Sequence, residues 1–153
     1  MSLPTIFSGA LPFSGKIIYT LIMPRTGRIF IPGIPHHITQ RGNRRQTVFF
    51  DDECYQYFIK LMNYWSEKHK VEIISFCLMP NHTHLVLVPE TISSIGRMLQ
   101  EVHRRYTRSV NQRMGWQGHL WQCRYYSVPL LDVYVDNAIR YVELNPVRAG
   151  ICI

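Results

Sequence analysis

The chain has 153 residues, 46% of them hydrophobic and 12% aromatic, a one-domain length with enough apolar side chains for a core, which excludes a disordered polymer. Its 17 Lys and Arg stand against 10 Asp and Glu for a net charge of +7, and 13 of those cations are arginines, whose planar forks suit phosphate and favour a polyanionic partner. Cys54, Cys77, Cys123 and Cys152 form no C-x-x-C pair, which argues against a zinc ribbon, gives no reason to expect disulfides and fits a reducing cytoplasm. No stretch approaches the ~20 apolar residues of a membrane helix, so no membrane partner is expected.

Residues 1–22 are apolar but carry Pro4 and Pro12, lack a basic start and break at Gly15-Lys16. They make a poor signal peptide and read as a leader, or as an upstream start with the natural one at Met23, leaving a single domain over residues 23–153. His37-Ile38-Thr39-Gln40-Arg41 alternates as a strand, and Gly42-Asn43-Arg44-Arg45 follows as a basic loop. Asp51-Asp52-Glu53 opens a helix with Cys54, Phe58, Leu61 and Trp65 on one apolar stripe. Val71 to Met79 and His82 to Val88 read as a strand pair joined by a Pro80-Asn81 turn. Ile95, Met98, Leu99, Val102, Tyr106 and Val110 mark a second amphipathic helix that Gly115 and Gly118 end. Leu120 to Leu130 is extended and aromatic, and Asp132 is expected to cap a last helix that stops near Asn145, because Pro146 disfavours helix at the residue before it. Such an order predicts an α+β sandwich of the split-βαβ, ferredoxin-like and RRM-like kind, an antiparallel central sheet with helices on one face.

The chemistry gathers in two short segments. In Met79-Pro80-Asn81-His82-Thr83-His84-Leu85, the pleat points both imidazoles to one side of a sheet, where two nitrogen ligands can hold a metal. In Arg140-Tyr141-Val142-Glu143-Leu144-Asn145-Pro146, a spacing of four puts a phenol and an amide on one helical face. A tyrosine serves as a nucleophile that stores phosphate as a covalent ester, and a divalent ion neutralises the charge developing on that phosphate. Each piece also has a plainer reading: a hydrogen-bonded structural histidine pair, a core or surface tyrosine, a helix-ending asparagine.

Four blocks, in order, resemble the single-tyrosine transposases of the HUH superfamily, and especially the group associated with REP elements. They are His37-Ile38-Thr39-Gln40-Arg41-Gly42-Asn43-Arg44, Met79-Pro80-Asn81-His82-Thr83-His84-Leu85, Gly118-His119-Leu120-Trp121-Gln122 with Arg124-Tyr125, and Tyr141-Val142-Glu143-Leu144-Asn145-Pro146-Val147-Arg148-Ala149-Gly150. The resemblance implies a metal site at His82 and His84 with Asn145 as third ligand, a magnesium or manganese ion, and Tyr141 as nucleophile. It also implies a single-stranded DNA substrate carrying a hairpin, acted on by a monomer or homodimer. Thr83 departs from the hydrophobic residue that the superfamily name places between the histidines; it is expected on the opposite sheet face, where it affects packing rather than ligation.

For DNA contacts the candidates are Arg41, Arg44 and Arg45 after the first strand, Arg104, Arg105 and Arg108 on the second helix, and Arg124 and Arg148 beside the matching blocks. Two other readings compete. A non-catalytic hairpin-binding module would keep the fold and charge without forming a covalent product, and a metal nuclease using activated water would cut DNA without becoming attached to it.

Overall fold

The computed structural model describes residues 28 and 30–145, so the leader expected over residues 1–22 and the candidate Arg148 lie outside the described residues. The elements follow the expected alternation: β1 (His36–Arg41), α1 (Asp52–His69), β2 (Val71–Met79), β3 (His82–Pro89), α2 (Ser94–Met114), β4 (Tyr126–Pro129) and α3 (Asp132–Glu143). The basic loop after β1 contains a one-turn 3-10 segment at Asn43–Arg45.

Local chemistry fixes the helix ends. Asp51, in extended backbone, accepts a hydrogen bond from the Cys54 amide at 3.0 Å, a cap worth about 1 kcal/mol. Asp52 and Glu53 in the first turn and Lys68 and His69 in the last complement the helix dipole, and α1 ends at Lys70 in the left-handed region. Its buried stripe is Cys54, Phe58, Leu61 and Met62; Trp65 is only partly buried and stacks on His69. The expected apolar residues of α2 are all buried, and that helix ends at Gly115 with φ 68°. Asp132 does not cap α3: Leu131 holds the N-cap position without a side-chain bond, and Asp132 sits within the first turn, where its charge meets the dipole instead.

All strand pairs are antiparallel, in the order β2-β3-β1-β4. With α1 linking β1 to β2 across the intervening β3, this is the expected α+β split-βαβ arrangement. The pleat divides the strands between two faces. Ile38, Leu85 and Leu87 join Phe58, Met98, Leu99 and Tyr106 in the main core beneath α1 and α2. Tyr106 closes that core by donating its hydroxyl to the Val48 carbonyl at 2.7 Å. Cys77, Met79 and Val86 face the other way and pack with Val142 of α3. Helices on a single face therefore holds for α1 and α2, whereas α3 lies across the sheet from them.

The stretch expected to be extended from Leu120 to Leu130 is strand only in its second half. Leu120 and Trp121 turn into the core, Trp121 bridging to Gly42, and Cys123 takes a left-handed φ of 48° that interrupts the extension. Among the described residues, no helix is long and apolar enough to cross a membrane.

Candidate active site

The site is built by strand register. In β3 the alternation places His82 and His84 on the α3 side, and β1 sets Arg41 opposite His82 and Thr39 opposite His84. Thr83 is fully buried on the other face, as its parity requires, and its hydroxyl finds no partner there. The imidazole centroids of His82 and His84 lie 5.0 Å apart.

Each ring is held through Nδ1. His82 Nδ1 lies 2.6 Å from Asn81 Oδ1, which can only accept, so the proton sits on Nδ1 and the lone pair on Nε2. Asn81 in turn donates through Nδ2 to the Arg45 carbonyl at 3.3 Å, tying the arginine loop to the histidine strand. Further ties come from Gly42 N to the Asn81 carbonyl at 2.8 Å and Val48 N to the Pro80 carbonyl at 2.7 Å. A Cβ on Gly42 would run into the Gln46 carbonyl and sit 2.7 Å from Val48 Cγ1, so this close approach requires glycine.

His84 Nδ1 lies 3.0 Å from His37 Nε2 and 3.3 Å from Thr39 Oγ1, and the rings of His37 and His84 stack at an interplanar angle of 12°. Burial pushes the pKa values of His37 and His82 down and that of His84 down to about 4, with His82, His37 and Arg41 adding to the last. All three imidazoles are therefore neutral at pH 7, the state in which Nε2 has a lone pair to offer a metal.

Tyr141 meets this cluster from α3. Its ring stands edge-on to His84 at 5.7 Å and to His37 at 6.1 Å between centroids, and 42% of the residue is exposed, so the phenol is both held and reachable. A cavity of about 620 Å³ opens beside it, lined by His37, Val128, Leu131 and Tyr134 among others. Asn145 lies just beyond α3, with Nδ2 3.5 Å from the Tyr141 carbonyl. Among the described residues no three His, Cys, Asp or Glu side chains assemble as a metal cage. The structure brings His82 and His84 together as two neutral imidazoles, donors that would suit a divalent ion, while the contact Asn145 makes is with the Tyr141 backbone.

Arg41, Arg44 and Arg45 are exposed and join the His82 end of the site, Arg44 and Arg45 in left-handed backbone. Arg104 and Arg105 bind Glu101 at 2.6 and 3.2 Å on α2, across the sheet from the histidines, and Arg108 shares that helix. Arg124 is exposed in the loop before β4. Sequence reasoning gave no part to Thr39 or Asn81 and assigned none to His37. The signal for His37 was present in its odd-numbered parity with Arg41, but only the β1–β3 register places it against His84.

Residues 32–145 match the family model described as IS200-like transposase, well over half the chain. The chain belongs to the IS200-like transposase family. This transposase has the fold of a REP-associated tyrosine transposase solved bound to a REP hairpin, at a TM-score of 0.70 and 20% identity, over 85% of this chain and 76% of that one. It also resembles a Deinococcus radiodurans R1 protein assigned as a transposase, at a TM-score of 0.54 and 18% identity, over 78% of this chain and 96% of that one. No curated protein matches the transposase. A cavity of about 670 Å³ at the opposite end of the sheet is lined by Glu67, Glu72, Glu90 and Lys70, the last paired with Glu90, and contains none of the histidines, Tyr141 or Asn145.

Proposed function

We propose that this protein is a single-strand DNA transposase of the REP-associated tyrosine kind, cutting and rejoining hairpin-bearing DNA through a 5'-phosphotyrosine on Tyr141. The observation that carries the reading is the Tyr141 ring, exposed and set edge-on against His84 and His37 on the histidine face of the sheet. The Tyr141 oxygen forms a bond to phosphorus, the bond from phosphorus to the 3'-oxygen breaks, and the phenol proton leaves while the departing 3'-oxygen gains one. Attack by another 3'-hydroxyl reverses the step and restores the phenol. The ester conserves the phosphodiester energy, so rejoining needs no external source.

His82 and His84 through Nε2, with the Asn145 amide oxygen, would hold a magnesium or manganese ion. When bound, that ion supplies Lewis-acid stabilisation of phosphate charge. Asn81 holds the His82 proton at Nδ1, and His84 would take the same metal-binding tautomer by donating its Nδ1 proton to His37 Nε2. Arg41, Arg44 and Arg45 border the site as backbone contacts, where an arginine fork spans phosphate oxygens. The hairpin bound by the structural neighbour supports a hairpin partner here.

The test is denaturing electrophoresis of the full chain with labelled single-stranded hairpin DNA and manganese. A labelled band at the summed mass, lost in Tyr141→Phe and lost without metal, is the expected result. Binding with no such band would make the protein a hairpin-binding module, and free cleaved DNA from both proteins would make it a water-using nuclease.

A further inference from the structure

The arginines divide by whether a carboxylate answers them. Arg104 and Arg105 share Glu101, and Arg113 pairs with Asp51. Arg28, Arg97 and Arg124 have no such ion pair among the described residues, and all three line a cavity of about 540 Å³ that no carboxylate lines. This cavity lies between the first half of α2 and the loop before β4. Three guanidinium groups around one space repel one another in the absence of an anion.

The rest of the lining is not that of a bare anion sink. Arg97, Gln100 and His103 recur every three residues along α2, a spacing that stacks them on one ridge. Gln100 is exposed, while His103 is partly buried, with its Nε2 shielded and without a hydrogen-bond partner, and its ring also lines an adjoining cavity of about 320 Å³. His103 packs its ring against Trp121 and Phe58 and forms the floor of the cavity, leaving Gln100 as the accessible amide on that ridge. On the facing wall, Arg28 donates to the Tyr125 carbonyl through Nε at 3.1 Å and Nη2 at 3.0 Å, and its guanidinium lies 3.7 Å over the Tyr125 ring. That makes a flat, rigid platform.

We propose that this cavity holds an unpaired deoxynucleotide of the DNA substrate, with its phosphate on Arg97 and Arg124 and its base edge read by Gln100. The proposal rests on DNA being the substrate, as in the reading above, but not on Tyr141 or a metal. Guanidinium forks match phosphate, an amide matches a base edge, and a planar platform suits a base face. The position also fits: Gln40 of β1 lines the cavity, while the next residue, Arg41, is paired opposite His82 on the other face. A strand rounding this end of the sheet would pass from the cavity to Tyr141, so the pocket would set which phosphate is cut.

The probe is a fluorescent DNA hairpin with unpaired single-stranded tails, compared with the same hairpin without tails, in anisotropy titrations across a salt series. Arg97→Ala should weaken binding of the tailed hairpin alone and make its log-log salt slope shallower by about 0.7, the value for one single-strand phosphate contact. Gln100→Ala should change the ranking of tails that differ in base, and a bromouracil-bearing tail should crosslink to the peptide holding His103 or Tyr125. Tailed and blunt hairpins weakened equally by Arg97→Ala, no effect of either variant, or crosslinks confined to other segments would each overturn the proposal. So would free deoxynucleoside monophosphates binding as tightly as the tail. Melting curves of both exposed variants separate loss of contact from loss of fold. Tail-dependent binding that survives in a Tyr141→Phe protein unable to cleave would uphold both readings. Full cleavage by that variant with tail-dependent binding intact would sink the nucleophile and leave the pocket standing.

Discussion

The two faces of the one sheet are made from alternate residues of the same strands yet do opposite work. Toward α1 and α2, Ile38, Leu85 and Leu87 meet a dense aromatic core in which Phe49, Phe58, Tyr106 and Trp121 touch ring to ring. Toward α3, the neighbouring residues His37 and His84 meet an exposed tyrosine with His82 beside His84, and the apolar packing shrinks to Cys77, Met79, Val86 and Val142. Stability is concentrated on the first face, which frees the second to hold neutral imidazoles and an accessible phenol at some cost in packing. A one-residue slip of β3 would exchange the two sets, so the same register secures both the core and the site.

That division makes separable predictions. Phe58→Ala, on the packed face, should cost about 3–5 kcal/mol in chemical denaturation. His84→Ala, on the other, should remove cleavage while moving the denaturation midpoint far less; equal destabilisation by both would break the contrast. Gly42→Ala tests the seam between them, because its Cβ has no room beside Gln46 and Val48, and overpacking of this kind costs about 1–3 kcal/mol. Hairpin affinity should fall with it, since the arginine loop must shift.

The buried histidines predict a direction with pH. Burial holds His103 down to about 3 and His84 down to about 4, whereas in the unfolded chain both titrate near 6.5. Below that value the unfolded state binds protons that the fold refuses. Stability is therefore complete above about pH 6.5 and falls as the pH drops toward 4. Melting temperatures from pH 8 to 5 should decline on the acid side, with a shallower decline in His103→Gln. The smallest effect belongs to Thr83→Val, which removes a buried hydroxyl with no partner and should stabilise the fold by about 1 kcal/mol without lowering cleavage.

Much of this architecture was legible in the residues, for physical reasons that also mark where legibility stopped. The stripes of α1 and α2 and the strand pair around Pro80-Asn81 follow from local periodicity, so they stand where the sequence puts them. Three features depend on distant contacts. β4 is short because Leu120 and Trp121 have a buried destination in the core, which outweighs strand alternation. α3 takes the far face because Val142 fits the patch of Cys77, Met79 and Val86, and periodicity does not say which side of a sheet a helix will cover. His37 enters the site only through strand register, which no local pattern encodes, whereas Asn81 touches its own chain neighbour His82. The paired residues His82 and His84 and the separate Tyr141 were readable as candidates, but their meeting is a product of the fold.

The most direct measurement is tandem mass spectrometry of the protein–DNA adduct trapped with a single-stranded hairpin and manganese. The account predicts one modified peptide, carrying a nucleotide through its 5'-phosphate on Tyr141. A nucleotide on any other residue, or cleaved DNA with free 5'-phosphates and an unmodified Tyr141 peptide, would contradict it.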